Sequence, residues 1–175
     1  MYTEEWFFEQ ARKGHMYHAC SAGAVTLTTV HATCTGLSLE NPPGSNKNLV
    51  IKRASFVAST APNGAAVVGL AISPAIQTTA VTHTTPAVIH NAIATGSDKN
   101  VGIAKADVSS TLPATPVWLR PLGSVVAASS ISPAAYHEDV NGDIILPPGT
   151  NLSFSYLTTA AVGIAAFTWV EVPAL

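Results

Sequence analysis

The stretch Asn151-Leu-Ser-Phe-Ser-Tyr-Leu157 alternates small polar residues with Leu152, Phe154 and Tyr156. Side chains of an extended chain point to opposite faces in turn, so this spacing puts three large apolar groups on one face of a β-strand. Upstream, Ile144-Ile-Leu runs into Pro147-Pro-Gly149; downstream, Ile164-Ala-Ala-Phe-Thr-Trp-Val-Glu-Val172 repeats the period of two, and Pro173 ends it. Farther out, Ala24-Val-Thr-Leu-Thr-Thr-Val30 and Pro116-Val-Trp-Leu-Arg-Pro121 read as short strands. Ala65-Ala-Val-Val-Gly-Leu-Ala-Ile72 is apolar throughout and belongs in the interior. In Asn48-Leu-Val-Ile-Lys-Arg-Ala-Ser-Phe-Val57, Lys52 and Arg53 mark a change from burial to solvent.

Val and Thr dominate these segments and Pro or Gly interrupts most windows, which disfavours long helices after residue 14. The Ala-rich window Val125–Ala135 is the one place where a helix is tolerated. Ser73–Asn100 and Lys105–Pro116 read as long loops. Many short strands with Gly/Pro turns define an all-β fold, a β-sandwich of jelly-roll type.

Two turns echo each other: Asn41-Pro-Pro-Gly-Ser-Asn-Lys-Asn-Leu-Val50 and Leu146-Pro-Pro-Gly-Thr-Asn-Leu-Ser153. Proline fixes φ at the second turn position and glycine accepts a positive φ at the third, so each is expected to be a type II turn opening a strand.

The first segment differs from the rest. Thr3-Glu-Glu-Trp-Phe-Phe-Glu-Gln-Ala-Arg-Lys-Gly14 reads as a short helix capped by Thr3, with acids in its first turn, Arg12 and Lys13 in its last, and Gly14 as its stop. A helix this short needs support for its aromatic side chains. Trp6, Phe7 and Phe8 either cover an end of their own domain or dock on a neighbour. The expected division is a helical arm over residues 1–19 and a sandwich over residues 20–175, with Trp6, Phe7 and Phe8 as the docking residues.

Hydrophobic residues make up 47% of the 175-residue chain and charged residues 10%, against about 25% charged in ordinary soluble domains. Ser, Thr and Asn supply the polar cover, and hydroxyls and amides lose less on dehydration than ions do. Such surfaces suit a subunit whose faces meet neighbours. A net charge of −2 with scattered Lys and Arg offers no footprint for nucleic acid. No run approaches the roughly 18 apolar residues of a membrane span. The opening Met1-Tyr-Thr-Glu-Glu-Trp6 is acidic where a signal peptide is basic, so synthesis in the cytoplasm is expected, with Cys20 and Cys34 as thiols.

Leu37-Ser-Leu-Glu-Asn-Pro-Pro-Gly-Ser-Asn-Lys-Asn-Leu-Val-Ile51 resembles a segment found in small virion proteins of tailed bacteriophages, where it opens a sandwich strand. Val140-Asn-Gly-Asp-Ile-Ile-Leu-Pro-Pro-Gly-Thr-Asn-Leu152 and the ending Ala166-Phe-Thr-Trp-Val-Glu-Val-Pro173 resemble the closing module of the same group. The resemblance covers about a third of the chain and lies in turns and strand ends. It implies a jelly-roll-like protein made in the host bacterial cytoplasm and placed on the capsid surface: a decoration or cement protein, partnered by the major capsid protein and by itself as a homotrimer. A tail or fibre module that recognises a host glycan is the alternative. No functional residue carries over, and no cofactor, nucleic acid or membrane is expected.

The spacing H-x2-H-x-C-x10-H-x2-C formed by His15, His18, Cys20, His31 and Cys34 has zinc-type ligands but no finger pattern; packing and surface roles are the expected reading. A Cys20–Cys34 disulfide is a further option. Asp139-Val-Asn-Gly-Asp143 lacks the remaining ligands of a calcium loop and reads as an Asn-Gly turn. The chain has no nucleophile elbow, zinc-protease or phosphate-loop motif, and His137, Glu138 and Asp139 alternate faces along a strand, so no enzyme is expected.

Overall fold

The segment around Phe154 is a central strand of a two-sheet sandwich. The computed structural model describes residues 3–60, 62–93, 102–125 and 135–174. One helix, α1 (Glu4–Arg12), precedes β1 (Met16–Cys20), β2 (Val25–Thr26), β3 (Thr33–Asn41), β4 (Lys47–Thr60) and β5 (Ala66–Ile72). There follow β6 (Thr82–Pro86), β7 (Ile89–Asn91), β8 (Lys105–Thr111), β9 (Val117–Val125), β10 (Ala135–Asp139), β11 (Ile145–Leu146), β12 (Thr150–Leu157) and β13 (Val162–Pro173).

The first sheet runs β10-β4-β13-β1-β7, with β11 on β4 and β2 on β13; the second runs β6-β8-β3-β12-β5-β9. All the pairings are antiparallel. Within them, β1-β13-β4-β10 faces β3-β12-β5-β9. Consecutive strands of this set alternate between sheets except at β5 and β9, which both lie in the second sheet before the chain returns to the first. This is the wiring of a jelly roll.

The core lies between the sheets. Phe154 stacks on Phe167 with ring centroids 4.6 Å apart and lies 6.4 Å from Phe56, while Trp169 stacks on Tyr17 at 6.1 Å. Leu152, Phe154, Phe167 and Trp169 are fully buried, so the inward positions read from the sequence are the ones the core uses. At Lys52 and Arg53 the alternation breaks: Ile51 and Ala54 both point into the core, and the register of β13 against β4 shifts between Thr168 and Trp169. The bulge aims both cations outward.

Both echoing turns have glycine at positive φ, 74° at Gly44 and 81° at Gly149, as type II geometry requires. They are neighbours in space. Asn41 donates from Nδ2 to the Lys47 and Leu146 carbonyls, and the Gly149 amide donates to the Asn41 carbonyl. Asn141 (φ 48°) and Gly142 (φ 88°) form the expected reverse turn, closed by Asp143 N donating to the Val140 carbonyl at 3.0 Å.

Three boundaries differ from the sequence reading. The arm ends at Arg12, and Met16–Cys20 is β1, inside the first sheet between β13 and β7. The stretches read as loops contain β6, β7 and β8, edge or near-edge strands whose polar and small residues lack apolar alternation. The window Val125–Ala135 starts in β9 and ends in β10, and residues 126–134 lie outside the described residues.

Candidate functional site

α1 forms as its ends dictate. Thr3 accepts a bond from Trp6 N at 3.2 Å, Glu4 and Glu5 face the positive end of the helix dipole, and Gly14 turns the chain at φ 77°. The helix lies on the outer surface of the first sheet. Phe7, 1% exposed, packs with Met16, Val50 and Val170, the residues that alternate outward where Leu49, Ile51 and Trp169 point inward. Trp6 meets Phe7 edge-on at 5.0 Å and is half-buried. The Lys52 ammonium stands 4.7 Å from the Phe7 ring and pairs with Glu4.

The three aromatics therefore divide. Phe7 is spent within the chain and Trp6 partly so, whereas Phe8 is 65% exposed. Of the three residues expected to dock, Phe7 is turned inward and only Phe8 stands fully outward, because adjacent helix positions point about 100° apart.

Beyond the helix the same face presents Val57 opposite Ile164, Ser55 opposite Ala166, and Arg53 opposite Thr168. Val57 and Ile164 are exposed, and Arg53 is neutralised by Asp139 at 2.6 Å. Arg53 holds the Asp139 carboxyl below its ordinary range, with Lys52 and His137 adding to the effect. On β1, His18 and Cys20 face outward; His18 Nδ1 lies 2.9 Å from Thr168 Oγ1.

The proposed zinc-type spacing is not gathered into a site. His15 bonds Gln10, His31 accepts from Thr33 N, and Cys34 is buried with Val81 and Leu112 in the second sheet. Cys20 lies in the first sheet, and both cysteines are free. Burial pushes the Cys34 thiol up to about 11. Among the described residues no group of three or more His, Cys, Asp or Glu converges. The acids of the Asp139–Asp143 turn serve separate cations, Asp139 on Arg53 and Asp143 near Arg120. Glu138 pairs with Arg120 at 2.8 Å on the opposite side of β10 from Asp139.

The sequence reading missed one cluster. His83 on edge strand β6 stands between two buried carboxylates, with Nδ1 bonded to Asp107 of β8 and Nε2 2.9 Å from Glu40 of β3. Glu40 also accepts from Val81 N at 2.7 Å, and Asp107 Oδ1 is buried without a hydrogen-bond partner. An Asp–His pair resembles half of a catalytic triad, but here carboxylates occupy both ring nitrogens and leave none to activate a nucleophile. The carboxylates lie on opposite sides of the ring, so they do not converge on one ion. The available signal was an acid closing the period-two run Leu37-Ser-Leu-Glu40.

A cleft of about 520 Å³ lies beside this cluster, walled by Pro86, Val88, Ile89 and Ala104. A second, of about 200 Å³, lies between Val67, Trp118, Pro121 and Leu157 toward the β5-β9 end of the second sheet. Trp118 lies against Gly69, where an added Cβ would meet the indole at 2.6 Å.

No protein-family model matches the chain, and no curated protein matches it.

Proposed function

We propose that this chain is a structural virion protein of a tailed bacteriophage: a non-catalytic decoration protein that binds the outer surface of the major capsid shell as a homotrimer. The observation that carries the reading is the helix-covered sheet face. A jelly-roll body presents small, neutral and apolar residues around Val57 and Ile164, and Phe8 stands exposed on a helix that Phe7 anchors farther along the same face, over Met16, Val50 and Val170. Such a face is dehydrated at little cost, and an exposed aromatic on a fixed helix suits a docking anchor. The resemblance of the two Pro-Pro-Gly turns and the Trp169-Val-Glu171 ending to phage virion proteins supports the same reading.

The test is capsid binding by the full chain with Phe8→Ser. Because Phe8 is exposed, the variant should keep its unfolding temperature yet occupy capsids at least tenfold more weakly. Equal occupancy would refute the assignment of Phe8. The Trp118 cleft favours a second reading, a host-recognition module; Trp118→Ser would then abolish retention on host cells while capsids bind neither protein.

A further inference from the structure

We propose that His18 and His90 form a two-histidine site for a divalent transition-metal ion of the zinc, nickel or copper type, clipping edge strand β7 to β1. The two residues are direct partners in the antiparallel pairing of β1 with β7. Directly opposed residues share a sheet face with Cβ atoms about 4.5–5.5 Å apart. Two imidazole nitrogens bound to one ion at roughly 2.0–2.1 Å stand about 3.3 Å apart, which opposed histidines reach by side-chain rotation alone. Both side chains are exposed, so an ion can enter and water can complete its shell.

One further contact favours coordination. His18 Nδ1 bonds Thr168 Oγ1 at 2.9 Å, which fixes the ring and directs Nε2 to the ion, as second-layer partners do at histidine metal sites. Imidazole pairs without carboxylates select zinc, nickel or copper over calcium or magnesium. β7 has three residues and lies at the sheet edge, so a link across it secures the end of the first sheet.

The test uses the full chain, made without a polyhistidine tag and stripped with chelator, titrated calorimetrically with zinc and copper chloride. A single site per chain is expected, together with a higher unfolding temperature in the presence of the ion. His18→Ala and His90→Ala should each weaken binding at least tenfold while leaving the unfolding temperature in chelator unchanged. Thr168→Val, acting through His18, should weaken binding by about 10–100-fold. The copper resonance spectrum should show two nitrogen ligands in the natural chain and one in His90→Ala. No binding at millimolar ion, binding indifferent to both histidine variants, or equal loss in His137→Ala would overturn the proposal.

Discussion

The side-chain amide of Asn41 donates to the main-chain oxygen of Leu146 at 2.8 Å, joining two turns that lie 105 residues apart in the chain. The same nitrogen bonds the Lys47 carbonyl at 2.7 Å, and Asn41 Oδ1 accepts from Ser45 Oγ at 2.6 Å. The corner of the sandwich is thus held by one buried amide whose bonds are all local to the two Pro-Pro-Gly turns.

Replacing Asn41 with Leu removes the side-chain donor from the buried Leu146 carbonyl and one of two donors from the Lys47 carbonyl. The expected loss is about 2–4 kcal/mol, because an orphaned buried polar group costs about 1–3 kcal/mol. Urea unfolding should show a lower midpoint; an unchanged midpoint would mean the corner is held by the prolines alone.

Glu171 is a second anchor. Its Oε1 accepts from the amides of Ile103 and Ala104 at 2.8 and 3.1 Å, and Oε2 pairs with Lys47 at 3.2 Å. Glu171→Ala should cost about 2–4 kcal/mol by orphaning the two amides. Glu171→Gln keeps an acceptor and should lose less, which the same unfolding experiment resolves.

His83 answers two buried carboxylates at once. Its side chain is 26% exposed while those of Glu40 and Asp107 are 5% and 1%. His83→Ala leaves both acids without it and should cost about 3–5 kcal/mol, as when one partner of a buried ion pair is removed. Glu40→Gln with Asp107→Asn in the same variant should recover much of that loss. A double variant as unstable as the single one would show that packing of the ring, not charge, is what matters.

The thiols should separate by reactivity. Cys20 is exposed, whereas Cys34 is buried and its thiol is pushed up to about 11, so little thiolate forms at mildly alkaline pH. Iodoacetamide should modify Cys20 in the native protein and reach Cys34 only after unfolding, as peptide mass mapping would show. Early modification of Cys34 would mean that β3 opens locally.

Strands with large inward groups were legible because burial imposes period two; Leu152, Phe154, Phe167 and Trp169 sit where alternation places them. The turns were legible because a positive φ at Gly44 and Gly149 demands glycine. Edge strands β6 and β7 were not, since Thr82-His-Thr-Thr-Pro86 has no face that must be apolar. The division of Trp6, Phe7 and Phe8 was hidden for a different reason. Helix period shows that adjacent residues diverge, but only the placement of Val50 and Val170 decides which aromatic turns inward. The His83 cluster and the His18–His90 pair depend on strand register across distant segments, which local pattern does not encode.

Cryo-electron microscopy of the virion encoded alongside this chain tests the central proposal most directly. The account predicts trimeric jelly-roll density repeated over the outer capsid lattice, with Phe8 at the contact with the major capsid protein. Density confined to the tail tip or fibres, or a virion without the chain, would contradict it.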